Sequence, residues 1–260
     1  MTPLDAAHAA MDRDETDEAS RLRFFDCLAD GEFLLLLEEE PQGDDLKPRV
    51  FPLESGPVVL IFDLEERMAE FTGGVSPYAA LPGRVIAQVL AGQGIGLGVN
   101  LGVAPSQMIL PPEALDWLSG MLDGAPEETE DVPELFSAPW SLPQDLLAAL
   151  KAKLARAKGL AAFALLAGVT YRGNRKGHML AVVGASEAAE PALARAIREA
   201  LVFSGLEAGV LDVTFPPPEA DTIRRMLPVA YRIDIPAPST EGRATPVAPG
   251  SDPTRPPKLR

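Results

Sequence analysis

The side chains able to do chemistry are few, and their spacing excludes most chemistry at once. The 260-residue chain has two histidines, His8 and His178, and one cysteine, Cys27. Soft and imidazole metal sites need three or four such ligands, so they lack the means to form. A serine nucleophile would sit in a Gly-x-Ser-x-Gly turn. Gly184-Ala-Ser186 instead runs straight into Glu187 and reads as a helix N-cap. Cys27 follows Phe24-Phe25 on an expected helix, which favours a buried apolar thiol over a reactive one. His178 follows a turn, where a solvated ring is expected.

Two further patterns invite a ligand. Gly92, Gly94, Gly96 and Gly98 alternate up to Asn100, but a dinucleotide fingerprint places its glycines after a strand and before a helix. Here they follow a helix and alternate like a strand, so close packing is the expectation and no cofactor is implied. Paired carboxylates at Glu38–Glu40, Asp44-Asp45 and Glu65-Glu66 fall in strand ends, a loop and a solvated helix face. Nothing there buries a carboxyl enough to raise its pKa for acid–base work. The densest cationic spot is the turn Arg172-Gly-Asn-Arg-Lys-Gly177. It is a polar hairpin tip, and Arg172, Arg175 and Lys176 are the candidates for an anion site or for docking on an acidic first domain. No residue stands out as catalytic, cofactor-binding or metal-ligating.

The elements that would position these residues alternate between helix and strand. In the first part a helix around 17–28 precedes a buried strand, 32–37, and a hairpin of 50–53 with 58–62. Asp63 with Glu66 is a capping-box pair for a helix whose Leu64, Met68 and Phe71 should face the sheet. A helix after Leu81-Pro-Gly83, the glycine strand, a short strand at 106–110 and a Pro-started helix to Leu122 follow. In the second part a helix runs from a Ser141…Gln144 capping box to about Ala157. Strands at 159–171 and 178–183, a helix at 187–203, a strand at 210–215, a short helix and an edge strand at 231–235 complete it.

The fold class expected is α/β of the α+β type. It comprises a frayed acidic N-terminus (1–19), a first domain (20–122), an acidic Pro-rich linker (123–140), a second domain (141–235) and a disordered Pro-rich tail (236–260). Charge divides the same way. Residues 1–140 carry 7 Lys/Arg against 27 Asp/Glu, whereas residues 141–235 carry 12 against 9. The acidic half should repel nucleic acid and anionic membrane. A single cysteine suits a reducing compartment, and the acidic start does not resemble a signal peptide, so a cytoplasmic protein is expected.

The run from Val58–Phe62 through the glycine strand to Asn100 and Ile109-Leu-Pro-Pro-Glu-Ala-Leu115 resembles the N-terminal domain of the enhanced serine sensitivity (SseB) family. The helix at 143–157, the Gly177–Val183 strand, the helix 187–203 and Val210–Phe215 look like that family's C-terminal domain. Family members often place proline after the asparagine, where this chain has Leu101. The resemblance implies a bacterial cytoplasmic protein associated with sensitivity to serine, and it brings no catalytic residues. A non-enzymatic accessory protein with a protein partner is therefore expected. The alternative is a small-molecule (amino-acid) sensor with its ligand between the domains, ahead of an unrecognised enzyme.

Overall fold

The computed structural model describes residues 1–14, 16–41, 46–124, 131–205 and 211–237. Helices and mixed sheets form two small domains of α/β type. The N-terminus departs from expectation. It is not frayed: Pro3–Arg13 is a helix, α1, with Leu4, Asp5 and Ala7 buried. The cause is local and then tertiary. Thr2 Oγ1 accepts from Asp5 N, and Asp5 Oδ2 accepts from Thr2 N at 2.9 Å, a reciprocal cap before a Pro at the first helical position. The capped end then docks on the sheet, described below.

Helix α2 (Glu18–Asp30) leads to strand β1 (Glu32–Leu36) and the hairpin β2 (Val50–Leu53) and β3 (Gly56–Phe62). Helix α3 (Glu65–Thr72), strand β4 (Tyr78–Pro82), helix α4 (Gly83–Leu90), strands β5 (Gly96–Val99) and β6 (Met108–Leu110), and helix α5 (Pro112–Asp123) complete the domain. The strand order is β4-β1-β3-β5-β6, with β2 beside β3. Strand β3 is the hub, parallel to β5 and antiparallel to β1 and β2. It is buried on both faces, which is why Val58–Phe62 is continuously apolar. Val59 and Ile61 enter the main core with α2, α4 and α5, while Val58, Leu60 and Phe62 pack under Met68 of α3.

The glycine pattern resolves into two uses. Only Gly96–Val99 is strand. Gly92 and Gly94 have φ of 73° and 68°, so they make a left-handed turn rather than extend the strand. At Gly98 a Cβ would stand 2.5 Å from Leu60 Cδ2 and 2.8 Å from Leu101 Cδ1. Close packing is thus the role of the strand glycines, and Leu101, following the buried Asn100 (φ 48°), is what packs there.

The second sheet is assembled from β7 (Pro133–Ser137), β8 (Phe163–Tyr171), β9 (Lys176–Val183), β10 (Leu211–Thr214) and β11 (Tyr231–Asp234), in the order β10-β9-β8-β11 with β7 also on β8. Strand β7 falls inside the stretch 123–140 expected to be linker, because Phe136 has an apolar face to fill beside Val169. Helices α6 (Gln144–Arg156) and α7 (Glu190–Val202) cover one face, and α8 (Asp221–Met226) covers the other with Ile223 and Met226. Neither expected capping box at Asp63 or Ser141 forms: Leu64 and Pro143 are the N-caps, without side-chain bonds. The tail expected from 236 falls outside the described residues from 238 onward. Among the described residues, no helix is long and apolar enough to cross a membrane.

His178 is also a correction, since it is buried rather than solvated. Its Nε2 lies 2.9 Å from Trp140 O, so this nitrogen carries the proton and donates, while Nδ1 is buried without a partner. The Trp140 ring tilts over His178 and packs against Gly168, where a Cβ would come within 1.7 Å of Trp140 Cζ3. Gly168→Ala must therefore expel the indole or shift the strand, at about 1–3 kcal/mol. In a Trp117→Phe background the Trp140 emission should move to the red. An unshifted spectrum with unchanged stability would show that the contact does not constrain the ring.

Candidate functional site

Buried charge is concentrated where the two domains meet. From the first domain, Asp26 and Asp30 lie four residues apart on one face of α2, and Arg84 stands in the first turn of α4. From the second, α6 supplies Lys153 and Arg156 and α7 supplies Glu199. Lys153 Nζ donates to Glu199 Oε2 at 3.1 Å and sits 2.8 Å from both Asp26 Oδ1 and Asp30 Oδ2. Arg84 grips Glu199 with two nitrogens, at 2.9 and 3.0 Å, and reaches Asp30 at 2.5 Å. Arg156 pairs with Asp30 from the rim. Nearby, Arg198 donates to Met121 O at 3.1 Å, a further bond across the seam.

The electrostatics divide the acids. Burial lowers the affinity of Lys153 for its proton, but Asp26 and Asp30 more than reverse this, so the ammonium is held above its ordinary range. Burial pushes the Asp26 carboxyl up, against the pull of Lys153 and helped by repulsion from Asp30 and Glu199. Asp26 Oδ1 is buried and makes no directed hydrogen bond, despite its nearness to Lys153. Three cations face three carboxylates, and Asp26 is the least well served.

Two clefts open on either side of this seam. One, about 270 Å³, lies between α2 and α6 and is lined by Arg23, Asp26, Cys27, Asp145, Ala149 and Arg156. The other, about 300 Å³, is lined by Arg84, Lys153, Arg156, Leu160, Arg195 and Glu199. Cys27 is half-buried, and burial pushes its thiol up, away from nucleophilic use. Among the described residues no cluster of three or more His, Cys, Asp or Glu is placed to hold a metal ion.

The cations singled out from sequence lie elsewhere. Arg175 donates to Asp131 at 2.6 Å and Asp212 at 3.1 Å, with its guanidinium 4.1 Å above the Tyr171 ring. Arg172 is largely exposed, 3.7 Å from Glu134, and Lys176 is exposed at the start of β9. These partners belong to the end of the second sheet and the segment leading into it. Docking on the first domain falls instead to Lys153 and Arg156, while Arg84 of the first domain receives Glu199, and sequence reasoning missed all three. A signal existed for Lys153. It falls seven residues after Leu146 and three after Leu150, inside the apolar stripe of α6.

A second buried network lies within the first domain. Asp5 accepts from Arg67 at 3.0 and 2.6 Å and from Ser106 Oγ at 2.6 Å. Arg67 also holds Asp63, which accepts from Thr2 Oγ1 at 2.7 Å. Asn100 joins Ser106 Oγ at 3.0 Å to the backbone N of Asp63 at 3.2 Å. Residues 4–117, which span all of this network except Thr2, match the family model for the SseB protein N-terminal domain. The first domain is an SseB N-terminal domain. No curated protein and no solved structure matches the chain. Lys153 and Glu199 lie beyond the matched residues, so the seam joins the SseB domain to a second domain of different charge.

Proposed function

We propose that this is a non-enzymatic cytoplasmic accessory protein of the SseB kind, linked by that kinship to serine sensitivity, with a second domain corresponding to the family's C-terminal one. It acts by presenting the surfaces of two domains in a fixed relation to a protein partner. The supporting observation is the seam. Lys153, Glu199 and Arg84 are spent on one another, which orients α2 and α4 against α6 and α7 and leaves reactivity to none of them. Buried ion pairs of this sort set register more than they add stability. Affinity capture with the intact protein should recover a partner that is lost when Lys153 is replaced by Met. Equal recovery with both proteins would oppose a role for the fixed relation.

A second reading is favoured by the two clefts, which offer both signs of charge at a domain contact. A dipolar ligand such as an amino acid suits such a lining. A thermal-shift screen of the standard amino acids, serine included, tests it. Binding at a hundredfold excess over Kd adds about 2.7 kcal/mol to stability. A flat screen rejects the sensor and leaves the accessory reading standing.

A further inference from the structure

Helix α3 turns the face its spacing promises toward the sheet but buries it only in part. Of Leu64, Met68 and Phe71, only Met68 is buried, while Leu64 and Phe71 are 39% and 37% exposed. Phe71 rests on the fully buried Phe62, 5.3 Å away between ring centroids, and lies 6.2 Å from the half-buried Phe51. Tyr78, also 37% exposed, donates its hydroxyl to Glu65 at 3.1 Å, which joins β4 to the same surface. The outward side of α3 adds Glu66 and Glu70, which pair with no cation among the described residues. Arg67, the helix's own cation, is turned inward onto Asp5 and Asp63. The result is an aromatic surface edged by carboxylates, with one cation, Arg49, 5.2 Å from the centroid of the Phe51 ring.

Chemistry of that kind suits a proline-rich basic segment. Proline-rich chain stacks on aromatic rings with little entropy left to lose, and carboxylates take its arginines. The chain contains such a segment beyond Ala237. Residues 238–260 hold six prolines and four Lys/Arg against two acids, and they end in Pro253-Thr-Arg-Pro-Pro-Lys-Leu-Arg260. Pro253 and Pro256 have the Pro-x-x-Pro spacing, with three cations following within it and after it. Reach is not a constraint. Lys258 lies twenty-one residue steps beyond Ala237, about 65 Å at an extended 3.1 Å each, against a radius of gyration of about 18 Å for a globule of this length.

We propose that the tail, residues 253–260, docks on the α3–β4 surface of its own first domain. It covers Phe71 and Tyr78 and sets Arg255 and Lys258 against Glu65, Glu66 and Glu70. The contact is a removable cover over an SseB-domain surface, and a cationic partner would have to displace it. It does not depend on the accessory reading above, since the surface and the tail are defined without a partner.

Lys258 is the only lysine after Lys176, which makes a zero-length test possible. Carbodiimide treatment of the full chain, followed by peptide mass spectrometry, should join Lys258 to Glu65, Glu66 or Glu70. The yield should fall several-fold in the Glu66→Lys, Glu70→Lys variant and in 0.5 M salt. Phe71→Ser should reduce it with all charges intact. Mixing ¹⁴N- and ¹⁵N-labelled chains should give no hybrid cross-links. Lys258 joined to acids elsewhere, or unjoined, overturns the proposal. Hybrid products would overturn it as well, by assigning the surface to a second copy.

Discussion

Replacing Lys153 by methionine is expected to cost the protein about 3–5 kcal/mol of stability, read as a lowered urea midpoint. The ammonium is 5% exposed and stands among three carboxylates, so its loss strands buried negative charge that Arg84 and Arg156 only partly offset. The two tryptophans separate the consequences, because Trp117 lies in α5 of the first domain and Trp140 lies against the second sheet. Single-tryptophan versions should both report the loss if the seam couples the domains. Asp26→Asn should behave in the opposite sense. Burial raises the Asp26 pKa, so its ionised form weakens the folded state. Stability therefore gains from this residue as pH falls from the raised value toward the ordinary 3.8, and the asparagine makes that gain permanent. An Asp26→Asn variant as unstable as Lys153→Met would refute this division of labour.

Arg67→Ala should be comparably damaging, about 3–5 kcal/mol, and for a related reason. Arg67 is the only cation that bonds the buried Asp5 and Asp63 among the described residues, and without it α1 is held by the Ser106 and Thr2 hydrogen bonds alone, beside two carboxylates that then repel. Loss of α1 exposes Leu4 and Ala7 and opens the core beside Phe24. The variant should therefore be cut rapidly by protease within residues 1–30, where the native chain resists. The pH dependence has a defined sign. Burial opposes ionisation of Asp5, but hydrogen bonds from Arg67, Ser106 and Thr2 prevail and hold its carboxyl well below the carboxylate range. Its contribution is complete above the ordinary value of 3.8 and is lost as pH falls below it. Arg67→Ala should flatten the acid limb of the stability curve, and an unaltered limb would exclude Asp5 as its source.

The elements with one dominant period were legible. Val58–Phe62, the α6 stripe of Leu146, Leu150 and Leu154, and the α7 stripe of Leu193, Ile197 and Leu201 all lie where spacing puts them. What sequence could not supply was pairing at a distance. Asp5 reads as one acid among many near the N-terminus until Arg67 and Ser106 are folded onto it, 62 and 101 residues later. The strand β7 was hidden for the same reason, since Pro133-Glu-Leu-Phe-Ser137 has no strong alternation and is a strand only because β8 offers it an edge. The seam was half-visible. Lys153 interrupts an apolar stripe, which signals a buried charge, but only the fold reveals that its partners are on α2 and α7.

The seam also bears on the order in which the chain is made. The first domain meets its half of the contact with Asp26, Asp30 and Arg84, and Arg84 already has Asp30 within its own domain. Before residue 153 has been synthesised, the polar part of this half of the seam is a hydrated charged surface in which Arg84 already holds Asp30, and its apolar part is the stretch of first-domain core that Phe203 later joins. A nascent domain with such a face can wait in water without seeking the wrong neighbour, and Lys153 then selects the right one by charge.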